Sequence, residues 1–499
     1  MDHYIIVDLG ASNGRVIVAN YENETFAFDV VHRFPNVPVI SNEGELFWDI
    51  LRIFTDIKDG IRIAARKYDN KIKSLAIDTF GCDFGFLDDK GRLMGNPLHY
   101  RFEKQWELSG EMHEILTEEE FFRLSQGPTN RIMGIYKLYA LMRQDAFEYR
   151  YGAHLLMIPD LLNYFLTGKI SNEFTNATMT QLTSQIKRDW EPEITEKLGL
   201  RNEFLGPISE PGTYLGPIKP SVCEELEIEP IDVIIPATHD TASAVAGIPV
   251  KYPEKNWGFI SLGTWALSGL ERNEPCLDPA IVPLEFGNEG GTYGKSMLLK
   301  NLNGMWIIQQ CRNYWNKENT AGKELSWDDI VVLAREAKPQ KAVIDIQLPV
   351  FNGMPANMPL EIQNYCRQTG QEVPETVGEI AECVYKSLAL EVRASFDAVM
   401  KVLGEKLEVL QIAGGGTQNH LLCQWISNAA GLPAVCGPTE TTAVGNLLFQ
   451  LKVAGEVATL EEGRMIAAKA EDVYEVTPEA EEAGYWEEQY KHFISVVHA

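Results

Sequence analysis

The sequence predicts an α/β protein built from two similar domains that face each other across a cleft. Three observations carry that reading. At 499 residues the chain exceeds the size at which a single hydrophobic core keeps growing, so at least two domains are expected. Apolar residues recur now at strand spacing and now at helical spacing along the chain. A pattern of strand, glycine turn and strand occurs twice, in YIIVDLGASNGRVIVANYE near the start and in WGFISLGTWALSGLE near the middle. The boundary is expected between Gly247 and Asn256, giving domains over residues 1–247 and 248–499.

Taken in order, the first element is a β-hairpin turning at Gly10 to Ser12. LFWDILRIFTDIKDGIRIAARKY follows with apolar residues at helical spacing, and KIKSLAIDTFGCDFGFLD returns to a buried strand that ends at Gly81. Glu118 to Phe165 reads as mainly helical, an insertion covering the first domain. Within it, Pro159 to Gly168 has the proline start and glycine stop that helices favour. DVIIPATHDTASAVAG is a strand leading into a helix of small residues. The second hairpin turns at Gly263 and Thr264. Ile380, Val384, Leu388, Val392 and Phe396 lie four apart, which predicts a long amphipathic helix. LEVLQIAGGGTQNHLLCQWISNAAG then reads as strand, glycine loop and helix.

Composition narrows the function classes. The hydrophobic share of 45% and the charged share of 23% are those of a globular protein, and a net charge of −27 disfavours nucleic acid and anionic lipid as partners. The first residues show no positively charged leader with an apolar stretch, and no run of about 18 apolar residues occurs, so a cytoplasmic protein with no membrane partner is expected. The eight cysteines show no metal-binding spacing and are expected as reduced thiols; Cys366 and Cys383 flank a turn-rich segment that could bring them together.

Three motifs carry candidate chemistry. In DLGASNGR, Gly10 permits a tight turn, Ser12 and Asn13 offer donors, Arg15 a forked cation, and Asp8 a carboxylate for magnesium. These are the parts that grip a polyphosphate, and the matching turn at Gly263 to Trp265 would grip it from the opposite side. GGGTQN, from Gly414 to Asn419, lets a backbone approach a ligand closely; taken alone it could equally be a linker or a helix-capping turn. THDTASAV places Asp240 at the end of a strand and the start of a helix, where one carboxylate can act as general base in phosphoryl transfer. GGTYGKS is one residue too short between its glycines to be a P-loop. Trp48, Asp49 and Trp265 could stack on or hydrogen-bond a sugar, though an isolated Trp is more often a core residue.

DLGASNGR, AIDTFGCDF, TNATMTQL, ATHDTASAV, SLGTWALSG, NEGG, LKNLNGMW and GGGTQN, in this order over nearly the whole chain, resemble strings of the FGGY family of carbohydrate kinases. The resemblance implies two actin-like, hexokinase-like (ribonuclease H-like) domains flanking a central cleft, with ATP and Mg2+ as cofactors and a small-molecule sugar as substrate. By motif, it implies ATP contacts at Ala11, Ser12, Asn13, Gly14, Arg15, Thr264, Gln309 and Gly415. It implies sugar contacts at Gly81, His239, Asp240, Thr241 and Asn301, with Asp240 in the place of the family's base. The chain departs from the usual residues at Phe80, Cys82 and Phe102. The strings are nearest those of members acting on L-rhamnulose, which implies transfer of the ATP γ-phosphate to its 1-hydroxyl; L-fuculose or another ketose or polyol is the alternative. A non-enzymatic actin-like ATPase is disfavoured by the run Thr238 to Thr241, and a monomer or homodimer is expected.

Overall fold

The computed structural model describes residues 1–128 and 130–498. The first half opens with antiparallel strands β1 (Asp2–Leu9), β2 (Asn13–Glu22) and β3 (Thr25–Pro35). Helix α1 (Ile50–Lys67) follows, and strand β4 (Ile72–Thr79) then runs parallel to β1 on its other side. Asp49 caps α1, accepting from the Arg52 amide at 3.3 Å, and Ile53, Ile57 and Ile61 form the helix face buried against the sheet. Helix α2 (Ile158–Thr167) starts with Pro159 and stops at Gly168, as its sequence predicts. Strands β5 (Thr213–Pro217) and β6 (Asp232–Ile235) complete the sheet, whose order is β5-β6-β4-β1-β2-β3, with β6 parallel to β4 and β5 antiparallel at the edge.

The predicted insertion forms helices over Glu118–Ser125, Gly134–Arg143 and Phe147–Tyr151, with a core of its own around Phe121, Tyr136 and Tyr139. It is not helical throughout. His154–Met157 is a strand paired antiparallel with Phe84–Leu87, three of its four side chains fully buried.

Helix α3 (Asp240–Ala246) leads to the second half, where the predicted hairpin forms from β7 (Trp257–Leu262) and β8 (Trp265–Arg272). Strands β9 (Gly287–Gly290) and β10 (Ser296–Asn303) extend it on one side, and helix α4 (Trp306–Lys317) follows. Helix α5 (Val377–Leu403) is the post of this half. Its five apolar residues spaced by four are buried as expected, yet so are Glu382, Tyr385, Lys386 and Glu391 on other faces. The helix is therefore enclosed by its neighbours rather than amphipathic, and Lys386 meets Glu382 at 2.9 Å one turn away inside the protein. Strand β11 (Val409–Ala413), helix α6 (His420–Ala430), strand β12 (Ala434–Cys436), helix α7 (Thr441–Ala454) and strand β13 (Tyr474–Val476) complete the unit. The sheet order is β9-β10-β8-β7-β11-β12-β13. β11 and β12 run parallel to β7, and β13 lies antiparallel at the edge, repeating the arrangement of the first sheet.

Helix α7 follows the strands of the second sheet in sequence but packs on the first. Val444, Leu447, Leu448 and Leu451 cover Tyr4, Ile6, Ile17 and Ala19, each fully buried leucine stabilising the contact by about 2 kcal/mol. Its polar residues find partners beneath: Gln450 donates to the Ile5 carbonyl at 3.0 Å and accepts from Ser74 at 2.7 Å. α3 crosses α7 with backbones in contact. A methyl group at Gly445 would lie 1.8 Å from the Ser243 carbonyl oxygen, and one at Gly247 would lie 2.2 Å from that of Thr441. All eight cysteines are free and buried, Cys366 and Cys383 lying side by side.

Candidate active site

The parallel strands β6, β4 and β1 are neighbours, and their ends bring three carboxylates together. Asp8 and Asp78 are register partners on β1 and β4, one residue from the end of each strand. β6 continues through Thr238, whose carbonyl accepts from the Thr79 amide at 2.8 Å, into His239, which caps α3, and Asp240, its first residue. Crevices at the carboxyl ends of parallel strands are where α/β sheets bind ligands.

Asp240 is the predicted base, and its carboxylate accepts from the Thr241 amide at 2.6 Å and the Thr241 hydroxyl at 3.2 Å. Thr241, predicted to touch sugar, is thus given first to orienting Asp240. Burial in the cleft, with the negative charge of Asp8, pushes the Asp240 carboxyl up to about 7, the range suited to a base working near neutrality. Asp78 is fully buried. Its Oδ2 accepts from Asn446 of α7 at 2.6 Å while its Oδ1 has no partner among the described residues, and burial beside Asp8 drives its carboxyl well above the ordinary range. The Arg15 guanidinium bonds Asp8 from across the hairpin and reaches Glu440, the cap of α7, at 2.8 Å.

The predicted phosphate turn is built as a cradle. The Gly10 amide donates to the Asn13 carbonyl at 2.9 Å, and Asn36 braces the turn through the carbonyls of Gly10 and Ser12. Ser12 and Asn13 are exposed, Ala11 half-buried, and Gly14 is packed under the Phe34 ring, where no side chain fits. The second turn closes in the same way, Gly263 donating to the Trp265 carbonyl at 2.9 Å. Gln309, on the first turns of α4, approaches the exposed Thr264 hydroxyl at 3.4 Å. Gly414 to Gly416 wrap the end of β7 against Leu262; Gly414 holds φ 88°, and nothing lies within 4 Å of the position a Gly415 side chain would take. The Gly414 amide donates to the Thr441 hydroxyl at 3.2 Å. Gly414, Thr441, Glu440, Arg15 and Asp8 therefore link the glycine loop after β11 to the first turn.

Of the remaining predicted residues, Asn301 lines a cavity of about 460 Å³ between the halves. Asn130 and Arg131 of the insertion line one wall; Glu289, the exposed Asn301 and Gln347 line the other. His239 is buried beside it, its Nε2 3.5 Å from Asp240 and its Nδ1 3.7 Å from Glu289, and burial holds the ring neutral by lowering its pKa. Gly81 serves packing: a side chain there would strike Met179 at 2.7 Å. Trp48 takes the core alternative: it is buried, donates its indole N–H to Asp83 at 2.5 Å and packs at a tilt against Phe80. Asp49 is occupied in capping α1. Trp265 is exposed beside Thr264.

Sequence reasoning missed Asp78, Glu440 and Glu289. A lone carboxylate inside the apolar strand SLAIDT was a usable signal for Asp78, and NEGG for Glu289. Nothing local marks Glu440.

Two sheets of like strand order, with a glycine turn on each side of the cleft and three aspartates gathered at the strand ends of the first, suit a phosphoryl-transfer enzyme. The chain belongs to the FGGY family of carbohydrate kinases: the N-terminal domain of that family matches residues 3–247 and the C-terminal domain residues 258–454. It is an ATP-dependent sugar kinase. Among its relatives, a rhamnulokinase of Bacteroides thetaiotaomicron is 33% identical over 504 aligned positions, covering 99% of each chain. A rhamnulokinase of Halalkalibacterium halodurans is 34% identical over 474, covering 95% of this chain and 98% of that one. The fold is shared with a ligand-bound xylulose kinase from Lactobacillus acidophilus, at a TM-score of 0.82 and 16% identity over 99% of this chain and 98% of the other. It is shared too with Plasmodium falciparum glycerol kinase with ADP, at a TM-score of 0.79 and 14% identity over the same shares. Among the described residues no helix is long and apolar enough to cross a membrane.

Proposed function

We propose that this enzyme transfers the γ-phosphoryl group of MgATP to the 1-hydroxyl of L-rhamnulose, giving L-rhamnulose 1-phosphate and ADP. The observation that carries the chemistry is the Asp240 carboxyl, held at the mouth of α3 and poised near 7. It takes the proton of the sugar hydroxyl as that oxygen bonds to the γ-phosphorus, while the bond to the bridging oxygen breaks and ADP leaves. The turns at Ala11 to Arg15 and at Thr264, with Gln309 and Gly415, hold the nucleotide; His239 and Asn301 meet the sugar. The choice of ketose is supported by full-length relatives named rhamnulokinase at 30–34% identity.

Magnesium fits the residues present. Asp8, Asp78 and Asp240 lie close together with Arg15 paired to Asp8, and carboxylate oxygens are the hard donors this ion takes. Among the described residues no cage of three or more ligating side chains exists, which suits an ion that binds through one or two carboxylates and substrate phosphates. Asp8 would hold it, directly or through water, and the bound ion would neutralise charge on the phosphate oxygens. The free thiols and the absence of a spanning helix among the described residues support a cytoplasmic site of action.

The test is ADP release with MgATP against L-rhamnulose, L-fuculose, D-xylulose, L-ribulose and glycerol, with Asp240→Asn alongside. Turnover favouring L-rhamnulose and lost in the variant is the expected result. Preference for another sugar would overturn the substrate, and an undiminished variant would overturn the base.

A further inference from the structure

Glu289 is the third residue of β9, in the half of the molecule opposite Asp240. Only 5% of its side chain is exposed, yet its carboxylate has no hydrogen-bond donor among the described residues; its backbone is held in the ladder of β9 with β10, and its carbonyl accepts from the Ser296 hydroxyl at 3.4 Å. The group facing it is His239 Nδ1 at 3.7 Å, beyond hydrogen-bond reach, and that nitrogen is itself buried without a partner. A buried ring nitrogen without a partner, beside a nearly buried carboxylate that opens on the cavity and that no protein donor reaches, is a costly arrangement unless a bound group pairs with both. Glu289 lies in the wall of the cavity between the halves, on the same side as Asn301.

We propose that Glu289 is a sugar-binding carboxylate that, with His239 Nδ1, takes a hydroxyl of the ketose other than the one phosphorylated. The inference rests on the reading of this cleft as that of a ketose kinase. A hydroxyl in the cavity beside the pair is the group that suits both: it donates to the carboxylate, which can only accept, and accepts from an Nδ1–H. The imidazole fixes which hydroxyl is involved. Its Nε2 side faces Asp240 and its Nδ1 side faces Glu289, so the hydroxyl at Glu289 lies across the ring from the reacting one. Glu289 comes from the second half and His239 from the first, so one hydroxyl would bridge the halves and make the bound sugar a tie between them. Selectivity follows: an epimer or deoxy sugar that offers no hydroxyl there leaves the buried carboxylate unpaired, a strong basis for rejection.

The test compares wild type, Glu289→Gln and Glu289→Asp on the ketose that wild type prefers and on analogues lacking one hydroxyl at a time. Charge-assisted hydrogen bonds predict a KM for sugar raised by about 10- to 100-fold in Glu289→Gln, with the KM for ATP held within about twofold. One deoxy analogue should suffer that loss on wild type and no further loss in the variant. Glu289→Asp, which keeps the charge and shortens its reach, should show the same sugar-selective loss and serves if the glutamine variant does not fold. A sugar KM unchanged in the variants, a loss shared equally with ATP, or a mutational penalty that simply multiplies with every deoxy penalty would overturn the inference while leaving the kinase reading intact. If wild type phosphorylates no ketose, that reading fails and the inference fails with it.

Discussion

The two sheets have the same strand order and opposite chemistry. In the first, the residue before the last of β1 and of β4 is Asp8 and Asp78; in the second, the same places on β7 and β11 hold Ser261 and Ile412. Both sheets end in glycine turns, but only the first puts carboxylates beneath its turn. On the proposed reading the difference divides the labour of phosphoryl transfer: the strand ends of the first sheet supply charge for proton and metal, and the turn of the second supplies backbone and neutral side chains for the nucleotide.

The largest expected effect tests the acidic half. Asp240→Asn should lower kcat by about 10²–10⁴-fold, the usual worth of a positioned general base, while leaving the KM for ATP nearly unchanged. An intact kcat with a weakened ATP KM would reverse the assignment of the two halves. The pH profile comes next. Because the base works deprotonated and its carboxyl sits near 7, kcat/KM for the sugar should fall about tenfold per pH unit below that point and level off above it.

A pair of glycines sharpens the contrast between packing and binding. Gly445→Ala drives a methyl against the Ser243 carbonyl and should cost about 1–3 kcal/mol in urea unfolding. Gly415→Ala points into open space and should leave stability within about 0.5 kcal/mol, raising the KM for ATP instead. On the neutral half, Thr264→Val should raise the KM for ATP by roughly two- to tenfold, the worth of one uncharged hydrogen bond.

The smallest effect is on stability at Asp240 itself. Its carboxyl binds a proton more tightly in the folded chain than in the unfolded one, so its contribution to stability is complete below the ordinary carboxylate pKa and is lost as pH rises through about 7. Asp240→Asn should therefore unfold at or above the wild-type temperature in thermal scans at pH 8.

What the sequence reveals here follows from what is local. Both hairpins, the strand into Asp240 and the caps of α2 rest on turn residues and periodicity within twenty residues, and the structure has them where expected. The environment of α5 could not be read that way, because a stripe of five apolar residues says what one face needs and nothing about neighbours on the other faces. Trp48 stayed open for a related reason: an indole N–H can meet a sugar or a buried carboxylate, and Asp83, thirty-five residues away, takes it. Arg15 reaches Glu440 across 425 residues, a partnership with no trace in either segment.

The packing of α7 sets a limit on how this chain can be divided. The covalent junction after Gly247 looks like a natural place to cut, since the two family domains meet there. A fragment ending at that point would leave Tyr4, Ile6, Ile17 and Ala19 facing water and would strip Asp78 of its amide partner. Such a fragment should aggregate rather than bind sugar, and supplying residues 441–454 in trans should be the minimum needed to restore it. The enzyme is two units in its sheets and one unit in its folding.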